Sequence, residues 1–170
     1  MTKFARLAAL AAATAIAATP AVAAPTASTP VAKARVAITK PLTLTFVQDL
    51  GLGTITVQNG SWSTTTVGIT KAGVFSCGAN VVCTGSRQVA KYNVAGTNNQ
   101  VVTITAPNVT LVNQSNAAKT LTLTVDNPRT VTLNNSGNKG VDFDLGGSIV
   151  LSPSTLDGTY VGTFNVTVDY

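Results

Sequence analysis

The stretch KTLTLTVDNPRTVTLN, residues 119–134, contains the pattern that decides the fold. Leucine or valine alternates with threonine on both sides of the cluster DNPR. An apolar residue at every second position is typical of a β-strand with one buried face, and threonine and valine are β-branched residues that favour strands. The Asn and Pro of DNPR favour a turn. This stretch therefore predicts two strands joined by a turn.

The same alternation recurs along most of the chain. It is found in RVAITKPLTLTFV, TITVQ, TTTVGIT, QVVTITA, NVTLV and GVDFDLGG. Clusters of Gly, Asn, Ser and Pro separate these runs and predict turns at QNGS, VAGTNN, NQSNAA, NNSGNKG, LGGS and SPSTLDG. Short strands with turns at this spacing predict an all-β fold, an antiparallel β-sandwich, with a closed barrel as the alternative.

The first 23 residues have the pattern of a secretory signal peptide. Lys3 and Arg6 form a basic start, residues 7–18 are apolar and mostly alanine, and Ala21-Val22-Ala23 supplies small residues for cleavage. A membrane anchor is the alternative, but a bilayer span needs about 20 strongly apolar residues and this run is shorter. The sequence therefore predicts export, with no membrane span after the signal is removed.

The charges that remain after removal of the signal peptide argue against a nucleic-acid partner. The whole chain has a net charge of +5, of which Lys3 and Arg6 contribute two, so the mature chain has a charge of +3. Its basic residues are scattered singly along the sequence, whereas nucleic-acid binding favours a basic cluster on one face. We therefore expect no nucleic-acid partner and interpret these residues as solubilising charge.

Catalytic and metal-binding patterns are sparse. The chain contains no His, and its acids are scattered aspartates, whereas acid–base catalysis at neutral pH usually uses His or a tuned carboxylate. Asp142 and Asp144 lie two positions apart and could share a cation, but solvated positions on an outer face fit this spacing better. The glycine-bearing turns precede no helix, so no phosphate-binding loop is indicated. We expect a protein that is not an enzyme and has no cofactor or metal.

Cys77 and Cys83, in SCGANVVC, predict a disulfide in an exported protein. Closing a loop of about seven residues stabilises the fold by roughly 2–2.5 kcal/mol, which stiffens a local loop. A redox pair or a metal site is the alternative, but the spacing is not C-x-x-C and there is no second pair.

The segment VAKARVAITKPL, residues 31–42, has an unusual position for a strand. Behind it lie residues 24–31, whose prolines and small polar residues predict a flexible mature N-terminus. Residues 32–40 then form a candidate strand, and Pro41 interrupts it because proline lacks a backbone donor. The apolar row of this strand consists of Ala32, Ala34, Val36 and Ile38. Such a strand can pair with its own sheet, or it can cross to a neighbouring subunit by β-strand addition.

The chain closes with GTYVGTFNVTVDY, residues 158–170, whose alternation predicts a final strand. We expect five residues of this strand to face the core: Tyr160, Phe164, Val166, Val168 and Tyr170. With the sequence PLTL from Pro41 and the sequence DLGLGTI from Asp49, this ending resembles the bacterial secreted family known as domain of unknown function 4402. The resemblance spans nearly the whole mature chain.

That family is similar to the fimbrial subunits of Gram-negative bacteria, so the resemblance implies an immunoglobulin-like, pilin-like sandwich in residues 32–170, completed by a donor strand. It implies a surface filament in which identical subunits join head to tail through Ala32–Ile38, with the closing strand in the acceptor. A periplasmic chaperone and an outer-membrane assembly protein are the further partners to test. The alternative is a monomeric secreted or periplasmic adhesin or binding module, whose polar faces would suit surface glycans.

Overall fold

The computed structural model of the chain describes residues 25–27, 29–134 and 139–170. The predicted signal peptide, residues 1–23, lies outside these described residues. The chain divides into two units after Ala37. The described residues of the first unit are irregular and exposed, and the second unit, Ile38–Tyr170, contains the strands. None of the described residues belongs to a helix that is long and apolar enough to cross a lipid bilayer.

The described part of the second unit has thirteen strands. They are β1 (Thr43–Gln48), β2 (Thr54–Val57), β3 (Thr65–Ile69), β4 (Phe75–Ser76), β5 (Val81–Thr84), β6 (Ala90–Ala95), β7 (Val101–Thr105), β8 (Val109–Asn113), β9 (Thr120–Asp126), β10 (Thr130–Thr132), β11 (Val141–Leu151), β12 (Tyr160–Val161) and β13 (Thr167–Asp169). The all-β prediction is confirmed, and the opening stretch contains β9 and β10.

The largest sheet has the order β1-β6-β11-β9-β8-β12, and β3 also pairs with β11 and carries β4. A second sheet has the order β10-β7-β13, and β2 pairs with β5. All of these pairs are antiparallel. Because apolar residues alternate along each strand, each sheet has an apolar face, and the sheets bury these faces in a sandwich-like arrangement.

The buried apolar residues form two clusters. The first joins β6 and β11 of the large sheet to β7 of the second sheet and contains Ala90, Val94, Val102, Ile104, Ala106, Leu133, Phe143 and Leu145. The second contains Val67, Val81, Val109, Leu123, Ile149 and Leu151. Leu50, Val125 and Phe164 pack against both clusters, so they connect the two halves of the core.

The turn predicted at LGGS is wrong, because β11 continues through it to Leu151. Its first half pairs with β6, and its second half pairs with β3 and β9. Gly146 serves close packing at this point. A Cβ atom there would lie 2.4 Å from the backbone carbon of Thr70 and 2.5 Å from the nitrogen of Lys71, which is too close for any side chain. The glycine thus lets two strands meet, although its sequence context is typical of a turn.

Candidate functional site

The candidate donor segment lies in an irregular part of the chain. The structure assigns no strand to residues 31–42, and residues 31–41 are exposed. The exposed fraction is 85% for Val36 and 86% for Ile38. The predicted apolar row, Ala32, Ala34, Val36 and Ile38, is therefore open to solvent within the described chain. Whether it forms a strand in another subunit stays a prediction.

We use "tail" for residues 29–38. It contains Lys33 and Arg35, and no acidic residue occurs between residues 25 and 48 of the sequence. Leaving this row of apolar side chains in water is unfavourable, because burying apolar area is favourable by about 25 cal/mol per Å². The tail thus has the side-chain pattern of a strand but no sheet partner among the described residues.

Three residues fix the backbone where the second unit begins. The Lys40 N–H donates to Thr97 Oγ1 at 2.6 Å, and the Tyr170 hydroxyl donates to the Lys40 carbonyl at 2.5 Å. The Thr97 N–H in turn donates to Tyr170 Oη at 2.8 Å. We call Lys40, Thr97 and Tyr170 the clasp. It ties the residue before Pro41 to the end of the closing segment, so these two parts of the sequence lie side by side.

The closing segment differs from the single strand predicted for it. It forms two short strands that lie in different sheets, because β12 pairs with β8 and β13 pairs with β7. Phe164, between them, packs against both clusters, whereas Val166 and Val168 pack against the first cluster. Tyr170, predicted to face the core, has an exposed fraction of 45% and places its hydroxyl in the clasp. Of the five residues predicted to face the core, Phe164, Val166 and Val168 are half-buried against it, whereas Tyr160 and Tyr170 belong to neither cluster of the described residues. The change of sheet is not visible in the alternation.

The start of the closing segment has a tightly fitted turn. Gly158 has a φ of +134°, and a Cβ atom there would lie 2.6 Å from Asn113 Nδ2. Asn113 has an exposed fraction of only 1%, donates to the Asp157 carbonyl at 2.9 Å and accepts the N–H groups of Ser115 and Asn116. Tyr160 donates its hydroxyl to the Leu156 carbonyl at 2.8 Å. These bonds fix where β12 joins β8.

A row of three aromatic rings crosses β1, β6 and β11. In the register, Phe46 lies opposite Tyr92, and Tyr92 lies opposite Phe143. The Phe46 and Tyr92 rings lie edge to face with 5.9 Å between their centres, and the Tyr92 and Phe143 rings stack with 5.8 Å between their centres. Burial, and to a lesser degree the Asp49 carboxylate, raises the pKa of Tyr92 above its ordinary value. The row therefore lies on the core-facing side of the sheet.

The exposure of this row increases sharply toward β1. Phe143 has an exposed fraction of 5%, whereas Phe46 has one of 55% although it faces the same side. Neighbours directly opposite in a sheet share a face, so the apolar side of β1 is incompletely covered at Phe46. Within the described residues, β1 pairs with β6 alone. The outer edge of β1 therefore combines unpaired backbone groups with exposed apolar surface.

Three aspartates of the strands, Asp126, Asp142 and Asp144, have side-chain partners. Lys91 Nζ lies 3.0 Å from Asp144 Oδ1, and Asn93 donates to Asp142 Oδ1 at 2.6 Å. Lys71 Nζ lies 2.8 Å from Asp126 Oδ1, and the hydrogen bonds from the Lys71 side chain and backbone lower the pKa of Asp126. Asp142 and Asp144 thus each have a partner on β6. The described residues contain no group of three or more His, Cys, Asp or Glu that could hold a metal ion.

The predicted disulfide is confirmed. Cys77 and Cys83 are bonded, and they close the loop between β4 and β5. The Cys83 side chain packs against the second cluster, and the Arg87 guanidinium lies 4.4 Å from the centre of the Phe75 ring. The bond therefore stiffens this loop, at the β2–β5 part of the molecule.

The comparisons with known proteins identify a family. The family model described as domain of unknown function 4402 matches residues 42–170. The chain belongs to this family. No match was found among curated proteins or among solved structures. In this DUF4402 protein the match begins at Leu42, so the tail and Pro41 precede the matched residues.

The structure gives physical reasons for the DUF4402-like residues of the sequence. Leu42 and Leu44 pack against the first cluster, Leu50 packs against both clusters, and Ile55 packs against the second. In the ending, Gly158 fits against Asn113 and Tyr170 closes the clasp. Most of the motif is thus explained by packing. Sequence reasoning missed Thr97 and Phe46, because only the folded chain brings Thr97 to Tyr170 and leaves Phe46 uncovered.

Proposed function

We propose that this protein is a structural subunit of a bacterial surface filament, in which residues 32–38 of one copy complete a sheet of the next. The observation that carries this proposal is the exposed alternating row Ala32, Ala34, Val36 and Ile38, which has no strand partner among the described residues. In β-strand addition, main-chain hydrogen bonds supply affinity and alternate side chains fill pockets. A single exposed row on a segment ahead of a folded unit suits that mode of binding.

Two further observations support the same proposal. The clasp fixes the backbone of Lys40, which lies shortly after residues 32–38 in the sequence. The charged residues that could perform chemistry, such as Lys91 with Asp144, are paired across strands, so a structural role suits them. Identical copies that join head to tail generate a filament when the operation does not close into a ring. The subunit would leave through the periplasm of a Gram-negative bacterium and act at the cell surface.

Deletion of the tail tests this proposal. The mature protein without residues 25–38 keeps Lys40 and all thirteen described strands, and we expect it to be folded and monomeric. The full-length mature protein should form polymers that survive on a gel without heating, because a whole strand must be extracted to separate two copies. Circular dichroism would establish that both proteins contain the same sheets. Filaments of normal length from the deleted protein would show that the tail is not the joining segment.

A second candidate function is a monomeric binding module. The observation that favours it is a cavity of about 300 Å³ rich in hydroxyl groups, lined in part by Thr64, Lys119, Ser152, Ser154, Thr155 and Tyr160. Hydroxyl groups beside an aromatic ring and one cation suit a glycan, which needs polar groups that fix its orientation. Size-exclusion chromatography at several concentrations separates the two functions. A strictly monomeric, stable protein would favour the binding module.

A further inference from the structure

We propose that the outer edge of β1 is the acceptor for residues 32–38 of a second copy of this chain. This inference rests on the proposed filament function and names the surface that the tail would join. β1 has six residues and pairs only with β6 among the described strands, so one row of its N–H and C=O groups is open. An open edge of this length is a template for another strand.

The apolar side of β1 supplies the second reason. Phe46 lies in register with the core residues Tyr92 and Phe143, yet its exposed fraction is 55%. An added strand beside β1 would extend the sheet by about 4.8 Å and place its own apolar residues next to Phe46. The other described strands that pair on one side only are shorter, with two to four residues: β2, β4, β5, β10, β12 and β13. A segment of seven residues matches the longer edge of β1 better.

The alternation restricts the possible registers to those that place the two apolar rows on the same face. Residues directly opposite in an antiparallel pair share a face, so the even-numbered row of the tail must lie opposite Leu44 and Phe46. Placing Val36 opposite Phe46 brings Ile38 opposite Leu44. β1 has a register shift between Phe46 and Gln48, so residue-by-residue counting stops there, but the antiparallel direction still brings the basic end of the tail toward Asp49, the residue that follows β1. A parallel arrangement would turn the basic end of the tail away from Asp49, so charge complementarity favours the antiparallel one.

The clasp explains why the occupant is a second copy. The chain's own tail could reach β1 in this register only through a hairpin whose loop is Lys40, Pro41 and Leu42. Such a loop would have to reorient the backbone of Lys40, whose N–H and C=O are both bonded to Thr97 and Tyr170. Breaking these two exposed bonds opposes the hairpin by a modest amount, because a typical hydrogen bond contributes a net stabilisation of about 0.5–1.5 kcal/mol. The edge of β1 is thereby left for a tail from another molecule.

Disulfide trapping between two single-cysteine variants tests the acceptor. In the proposed register Ala37 lies opposite Thr45 on the outer face, and both residues are exposed in the subunit. Mature protein carrying Ala37→Cys is mixed with mature protein carrying Thr45→Cys and a tag that changes its size, under mild oxidation. The native Cys77–Cys83 bond stays in both chains. We expect a mixed dimer on a non-reducing gel, at least about tenfold more abundant than with either control partner.

The controls are Thr167→Cys on the edge of β13 and Thr103→Cys on the central strand β7, both exposed threonines. Cross-linking to Thr167 in place of Thr45 would overturn the β1 acceptor, as would an intramolecular cross-link in a chain that carries both Ala37→Cys and Thr45→Cys. If filaments form only with the tail present but no Ala37–Thr45 cross-link is found, the β1 edge is not the acceptor, and the proposed filament function still stands. If the full chain forms no tail-dependent polymer, the proposed function itself fails.

Discussion

The tail and the closing segment have the same kind of sequence and different surroundings. Both alternate apolar and polar residues, yet Phe164 and Val168 pack against the core, whereas Val36 has an exposed fraction of 85%. The closing segment pairs with β8 and β7, and the tail pairs with no described strand. Alternation therefore specifies which face of a segment is to be buried, and it does not specify against what. This difference is the basis of the proposal that the tail pairs with a strand of another molecule.

The largest expected effect is on polymer assembly, and it distinguishes the apolar row of the tail from its polar row. Val36→Asp places a charge in the apolar row, and burial of an unpaired charge is strongly unfavourable. We expect it to reduce polymer formation at least about a hundredfold, equivalent to roughly 2.7 kcal/mol. The measurement is the fraction of polymer at several protein concentrations.

Ala37→Asp is the matched control, because it adds the same charge one position along the chain. Both residues are exposed in the subunit, but Ala37 lies in the polar row. We expect Ala37→Asp to assemble within a few-fold of the natural protein. Equal loss of polymer in both variants would mean that the tail is not bound as a strand with two distinct faces.

The second effect concerns the stability of the subunit. Phe164→Ala removes a half-buried ring that packs against both clusters, and we expect a loss of about 2–3 kcal/mol in the free energy of unfolding. Val36→Ala removes an apolar side chain that is already in water, so the free energy of unfolding should stay within about 0.5 kcal/mol. Urea denaturation of the non-assembled subunit measures both. A comparable loss from Val36→Ala would place the tail within its own core.

The smallest effect concerns the clasp. Tyr170→Phe removes the hydroxyl that binds the Lys40 carbonyl and the Thr97 N–H, and we expect the monomer fraction to rise about fivefold, equivalent to roughly 1 kcal/mol. The freed linker then permits the tail to pair with its own β1. Native gel electrophoresis at matched concentration measures that fraction.

Tyr160→Phe serves as the control for the clasp. Tyr160 also lies in the closing segment, and its hydroxyl also donates to a backbone carbonyl, that of Leu156. We expect a similar small loss of stability and no change in assembly. If the two variants assemble alike, the clasp contributes to stability only and does not direct the tail.

Most strands of the sandwich could be predicted because the pattern that indicates a strand, alternation of apolar and polar residues, lies within a few consecutive residues. Leucine and threonine alternate in β9, and the structure forms a strand there. The sequence misled at LGGS, where Gly146 serves the close approach of two strands and looks like a turn residue. It also could not divide the closing segment, because β12 and β13 differ in their partners and share one alternation.

The candidate site was only partly predictable for a related reason. The apolar row of the tail and the break at Pro41 are local features, so the sequence contains them. The clasp joins Thr97 to Tyr170 across 73 positions, and no spacing rule connects a turn threonine with a distant tyrosine. The exposure of Phe46 depends on which residues distant in sequence cover that side of β1. Such features depend on tertiary structure and become visible only in the folded chain.

Amide hydrogen exchange of the tail tests the central claim most directly. In the non-assembled subunit, the amides of residues 32–38 should exchange at the rate of an unprotected chain, because they form no described strand. In assembled material, we predict strong protection of these amides, since they would pair with β1 of the next copy. Equally fast exchange of residues 32–38 in both states would contradict the claim that the tail joins the subunits.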